Sequence, residues 1–169
     1  MIPYKKTLRV LGIDPGTATT GWAIIEENKK QSKAIAYGTI ATDKNKSDEK
    51  RILEISQDLD RIIKKYSPQE AAIEKLFFFK NQKTVIEVCQ ARGAIILTLI
   101  QKNVKVFSYT PLQVKQAITG YGRAEKKQMQ FMAKNILGLK NIPRVDDTAD
   151  AIAVALCHLN SRKLINLVK

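Results

Sequence analysis

Three short apolar segments open this 169-residue chain, and after them helical and extended apolar patterns alternate. That order limits the fold more than any other feature. Residues 7–13 read as a strand that runs out at Asp14, where Pro15 and Gly16 turn the chain. Residues 21–27 and 34–41 read as two further strands, joined by short polar stretches, so the first three form an antiparallel meander. Ile52, Ile55, Leu59, Ile62 and Ile63 then recur at helical spacing, and Ser67-Pro68 stops that helix. Ser47 is its expected cap, although Lys50 stands where a capping box needs Glu or Gln. A short strand over 71–74 follows. Val85, Val88, Cys89, Ile95, Ile96 and Leu99 mark a long helix over 82–101. Residues 104–107 make a fifth strand, and Thr110-Pro111 opens a helix with proline at its first position. Further helices are predicted over 126–137 and 146–162. Strand–helix–strand units in the second half require parallel pairing. The expectation is one α/β domain over residues 1–169, with a five-stranded mixed sheet flanked by α-helices.

Charge narrows the partners. The chain carries 29 Lys and Arg against 16 Asp and Glu, a formal charge of +13. Such an excess favours nucleic acid or an anionic membrane surface. No run approaches the ~18 apolar residues of a membrane span, and residues 1–6 lack the apolar core of a secretion signal. Cys89 and Cys157 form no CxxC or zinc pattern. They read as reduced core or near-core residues, as expected of a cytoplasmic protein.

Against this basic background four acids stand at the edges of hydrophobic elements: Asp14, Glu74, Asp147 and Asp150. Asp14 and Glu74 each end a strand. Ligands of open α/β sheets gather outside the carboxyl ends of strands. Asp147 and Asp150 are three apart near a helix start and share one face. Four carboxylates in one place repel one another unless a cation intervenes. Oxygen-only ligands favour Mg²⁺, with Mn²⁺ as a substitute, over zinc. Two such ions about 3.5–4 Å apart can activate water and stabilise the leaving oxygen of a phosphodiester. Asp146 either faces the same site or caps the helix, and spacing does not choose between these.

Basic and aromatic residues surround the acids. Phe77, Phe78 and Phe79 follow Glu74, and three consecutive aromatics cannot all point inward; Phe77 is expected to stack on an unpaired base. Lys80 extends that loop. Lys115 lies on the helix after Pro111. Arg123 sits in a glycine-containing turn, and Lys126 and Lys127 open the next helix, where backbone amides also hold phosphates.

Gly12-Ile13-Asp14-Pro15-Gly16-Thr17 and Gly21-Trp22-Ala23 resemble the opening of the RuvC family of Holliday junction resolvases. The likeness continues through Glu74-Lys75-Leu76-Phe77, Lys80-Asn81, Gln90-Ala91-Arg92-Gly93, Gln113-Val114-Lys115, Ala124-Glu125-Lys126 and Asp147-Thr148-Ala149-Asp150-Ala151. Each block alone is weak; the ordered set spans nearly the whole chain. The resemblance implies a ribonuclease H-like fold and a Mg²⁺-dependent crossover junction endodeoxyribonuclease. It implies paired nicks in opposed strands of a four-way DNA junction, made by a homodimer during recombination and repair. It assigns Asp14, Glu74, Asp147 and Asp150 to the acidic quartet, Phe77 to an aromatic wedge, and Lys115 and Lys126 to DNA contact. The helix carrying Gln90 to Gly93 matches the family's dimer helix, with Gly93 letting partner backbones approach. RuvA and RuvB are the implied branch-migration partners. Phe78, Phe79 and Asp146 depart from the pattern, and some members carry His at the Asp147 position.

Other readings compete. Sugar kinases, actin and Hsp70-type ATPases also begin with a strand ending in Asp-x-Gly-Thr, but they need two lobes and a far longer chain. A non-catalytic DNA-binding module would not need all four acids. A ribonuclease H-like nuclease with another branched or hybrid substrate is the stronger alternative.

Overall fold

The computed structural model describes residues 7–28, 31–76, 82–141, 143 and 145–167, excluding the side chains of 82–84 and 163–167. Strands β1 (Leu8–Asp14), β2 (Thr19–Asn28) and β3 (Gln31–Ala41) form the expected meander. Helix α1 (Asp48–Tyr66) leads to β4 (Glu70–Glu74), and α2 (Gln82–Gln101) leads to β5 (Lys105–Tyr109). Helices α3 (Pro111–Thr119), α4 (Lys126–Leu137) and α5 (Asp146–Leu167) complete the described chain. The sheet order is β3-β2-β1-β4-β5, with the β1–β4 and β4–β5 pairs parallel and the β1–β2 and β2–β3 pairs antiparallel. The sheet is therefore mixed and five-stranded, as the segment order predicts.

Period-two alternation splits the core into two layers. Leu11, Ile13, Ile24, Ala71 and Ile73 face α1 and α2, where they meet Ile55, Leu59, Ile63, Ala91, Ile95 and Leu99. Val10, Ala23, Ile25 and Ala72 face the other side and pack on α3, α4 and α5. Of these helices α5 lies lowest on the sheet. A Cβ at Gly12 would collide with the Ala151 carbonyl oxygen and the Ala155 side chain, and one at Gly21 with the main chain of Asp147. Neighbouring β1 and β2 thus present bare backbone under the first turns of α5.

The caps follow the sequence closely. Thr110 and Gln113 form a complete capping box, with Pro111 at the first position of α3. Ser47 occupies the N-cap of α1 as expected, but its side chain makes no capping bond. The fifth strand begins and ends later than expected, because Val104 is taken up by a tight turn that bonds its N–H to Leu99 O. Cys157 is buried, but Cys89 is exposed, contrary to the expectation of a near-core site. The reason is that α2 has two apolar faces. One, through Ala91, Ile95 and Leu99, is buried; the other, through Ile86, Leu97 and Ile100, is open. Cys89 falls on the open side.

Candidate active site

The same alternation that builds the core brings the acids together. Counting from Val10 and Gly12, Asp14 points to the α5 face of β1; counting from Glu70 and Ala72, Glu74 points to the α5 face of β4. The two strands are parallel neighbours, with Ile13 beside Ile73. Asp14 and Glu74 therefore end adjacent strands on one face. Asp14 pairs across β1–β2 with Gly21, and Gly21 lies directly under Asp147. The first turns of α5 thus bring Asp147 and Asp150 to the same sheet edge.

The charges act on one another. Asp14 is pushed from 3.8 up to about 8, chiefly by burial and then by Glu74, Asp150 and Asp147, with Lys126 opposing. Glu74 is pushed from 4.5 up to about 6 by burial and then by Asp150. A hydrogen bond from Asp14, together with Lys126 and Lys115, holds Glu74 back from a larger rise. The protonated Asp14 carboxyl thus donates to Glu74, and the two titrate as a coupled pair. Asp147 is also raised, by burial and then by Asp150.

Lys126, the first residue of α4, supplies the local counter-charge. Its Nζ lies 3.0 Å from Asp150 and 3.4 Å from Asp146. Asp146 also accepts from Gln130 Nε2 at 3.2 Å, so it ties α5 to α4. Beside these groups a cleft of about 240 Å³ is lined by Glu74, Lys115, Lys126 and Asp150 over an apolar floor that includes Val114 and Met129. Arg123 and Lys127 are exposed nearby in sequence. Phe77 and Lys80 lie outside the described residues.

The donor set suits a hard divalent cation: four carboxylates, no sulfur and no imidazole. Burial and mutual repulsion already disfavour the charged forms of Asp14 and Glu74, the conflict that a cation would remove. Among the described residues, however, no three acidic groups are gathered closely enough to cage a cation as they stand. Asp150 instead holds Lys126. Sequence reasoning missed this ion pair, the strut from Asp146 to Gln130, and the two glycines beneath α5. Gly12 in β1 and Gly21 in β2 carried a readable signal, since a glycine inside a strand marks a close backbone approach. The ion pair carried none, because it joins helices that are 24 residues apart.

A ribonuclease H-like sheet with carboxylates gathered at the ends of its two central strands is the framework of a phosphodiester-cleaving nuclease. The family model for the crossover junction endodeoxyribonuclease RuvC matches residues 10–158. The chain belongs to that family. A RuvC of Caldicellulosiruptor saccharolyticus is 55% identical over 155 residues, covering 91% of this chain and 93% of the relative. One from Fusobacterium nucleatum is 53% identical over 154 residues, covering 91% and 81%. Among solved structures, Thermus thermophilus RuvC in complex with a Holliday junction substrate superposes with a TM-score of 0.88 at 30% identity. That match covers 93% of this chain and 96% of the other. The yeast mitochondrial resolvase Ydc2 shares the fold, with a TM-score of 0.72 at 15% identity.

Proposed function

We propose that this chain resolves four-way DNA junctions by metal-dependent nicks in opposed strands, with Asp14, Glu74, Asp147 and Asp150 as the metal-holding, catalytic acids. The observation that carries the reading is the meeting of Asp14 and Glu74, on adjacent parallel strands, with the first turns of α5 in one charged cluster. Two Mg²⁺ ions per site, or Mn²⁺ in their place, would supply an activated water and shield the leaving oxygen. The chain's own residues do the rest. Asp14 gives up its proton as the site charges. Lys126 leaves Asp150 for a DNA phosphate, so one cation serves first the acids and then the substrate. Lys115, Arg123 and Lys127 extend the same positive surface, and Phe77 and Lys80 are assigned to DNA contact by the family's pattern.

Helix α2 supports a dimeric assembly. Ile86, Leu97 and Ile100 are exposed along one stripe with Gly93, whose missing side chain leaves open space. A second copy covering this stripe forms a homodimer and puts two sites on one junction, which paired nicking requires. RuvA and RuvB act beside it in the cytoplasm, by the family's pattern. No helix among the described residues is long and apolar enough to cross a membrane.

The deciding experiment offers purified protein and Mg²⁺ a synthetic four-way junction, a linear duplex and an RNA–DNA hybrid. Paired nicks in the junction alone are expected. Preferential cleavage of the hybrid would move the chain to another ribonuclease H-like activity.

A further inference from the structure

Far from the acids, at the opposite end of β4, a second carboxylate is buried on the same face. Glu70 is 6% exposed and His158 of α5 is 2% exposed. Their side chains meet at 2.7 Å, Nε2 to Oε2. On the other side of the ring, Nδ1 lies 2.7 Å from the Tyr109 hydroxyl. Arg162 Nε adds a contact to Glu70 at 3.0 Å, and the Phe107 ring lies 4.4 Å from the imidazole centre. Burial depresses the basicity of His158. The neutral ring has one N–H; it donates to Glu70, while Tyr109 donates to Nδ1. Every polar atom of the imidazole is thereby satisfied in one orientation.

A buried carboxylate–imidazole hydrogen bond is poor evidence of stability, since apolar groups of the same shape in place of both partners can be nearly neutral. What it supplies is a unique register. Glu70 and Glu74 are four residues apart on a strand, about 13 Å. Asp150 and His158 are eight apart on a helix, about 12 Å. Helix α5 runs from Glu74 back toward Glu70, so the two intervals lie side by side and match. The small apolar residues between, Ala151, Ala153, Val154 and Ala155 against Gly12 and Ala72, form a smooth surface along which a helix can slide.

We propose that the Glu70–His158 pair is a positioning device that fixes the longitudinal register of α5 on β4, and so sets Asp147 and Asp150 opposite Asp14 and Glu74. Glu70 and His158 touch no substrate; they act through the helix. The inference rests on the reading of the acids as a metal site, so its test includes a control for that reading.

The experiment measures Mn²⁺ affinity by electron paramagnetic resonance without DNA, together with kcat and KM on a junction. Unsubstituted protein and Asp14→Asn come first: if the unsubstituted protein binds no Mn²⁺, the metal reading fails, whatever the pair does. His158→Gln keeps a donor toward Glu70, and His158→Leu removes it. The double variant E70L/H158L replaces the pair by apolar groups and leaves only Arg162, which is partly exposed to solvent, without its partner. His158→Gln is expected to bind Mn²⁺ within about threefold of the unsubstituted protein. The folded leucine variants are expected to lose tenfold or more in Mn²⁺ affinity and in kcat, with KM unchanged. A leucine variant that folds and binds Mn²⁺ normally would overturn the proposal. So would a glutamine variant as damaged as the leucine one. Collapse of both leucine variants would overturn it too, because the pair would then be a requirement of the fold.

Discussion

Glu70 and Glu74 occupy one strand and one face, four residues apart, yet they live in opposite electrostatic company. Glu70 is enclosed by an imidazole and a guanidinium. Glu74 is enclosed by Asp14 and Asp150 and feels Lys126 and Lys115 only in part. The first carboxylate is satisfied by the protein itself. The second is left with a surplus of negative charge that the protein alone does not remove. The contrast teaches that burial of an acid is not in itself a sign of function; the charge of its neighbours is. A site whose neighbours repel it is built for something that arrives from outside.

The largest effect tests the repelled end. Asp14→Asn is expected to lower junction cleavage by roughly 10³-fold, the equivalent of the several kcal/mol that a bound metal supplies to a transition state. Junction binding should stay nearly unchanged in a gel-shift titration; lost binding would assign Asp14 to recognition. Next comes the packing that presents α5. Gly21→Ala puts a methyl group into the Asp147 main chain and should cost about 10²-fold in cleavage rate, as expected for an ångström-scale misplacement. Thermal unfolding run in parallel separates this from a general loss of fold.

The satisfied end should fail differently. Glu70→Ala leaves the buried His158 N–H without its acceptor and should cost about 1–3 kcal/mol of stability. Glu74→Gln, by contrast, relieves repulsion and should leave the metal-free protein as stable or more so. Denaturant titration of both variants checks this, and equal losses would erase the distinction between the two carboxylates.

The smallest effect is the pH response of the metal-free protein. Asp14 and Glu74 have folded pKa values raised above their ordinary ones, to about 8 and about 6. Each therefore contributes stability in full only below its ordinary value, and that contribution is lost as pH rises through the folded value. His158 is lowered, so its contribution is complete above its ordinary 6.5 and lost as pH falls below it. The melting temperature without metal should therefore decline from pH 6.5 to pH 8 by a few degrees, about 1 kcal/mol. Mg²⁺ should reverse the decline, and Asp14→Asn should flatten it. A melting temperature that rises over this interval would contradict the raised Asp14.

Much of the architecture was legible in residue order. The meander and the parallel pairs follow from segment order, and the first helix from periodicity, because Ile55, Leu59 and Ile63 form its one buried row. Helix α2 shows where that logic stops. It carries apolar residues on two faces, and nothing in the spacing distinguishes the face that meets the core from the face left open, so Cys89 was misjudged. Asp14 and Glu74 could be read as strand-end acids from alternation alone. Their convergence with Asp147 and Asp150 rests on how low α5 lies, which is decided by Gly12 and Gly21 on strands far away in sequence. Lys126 with Asp150, and Glu70 with His158, are long-range pairs that only the folded chain brings together.

The bare backbone under α5 has a mechanical consequence. A helix resting on side chains can compress them and tilt; one seated on main chain has nothing soft beneath it. Its N-terminal turns can glide along the strands, but they cannot sink toward them. Backbone amides there should exchange with solvent only through openings that lift the helix clear of the sheet.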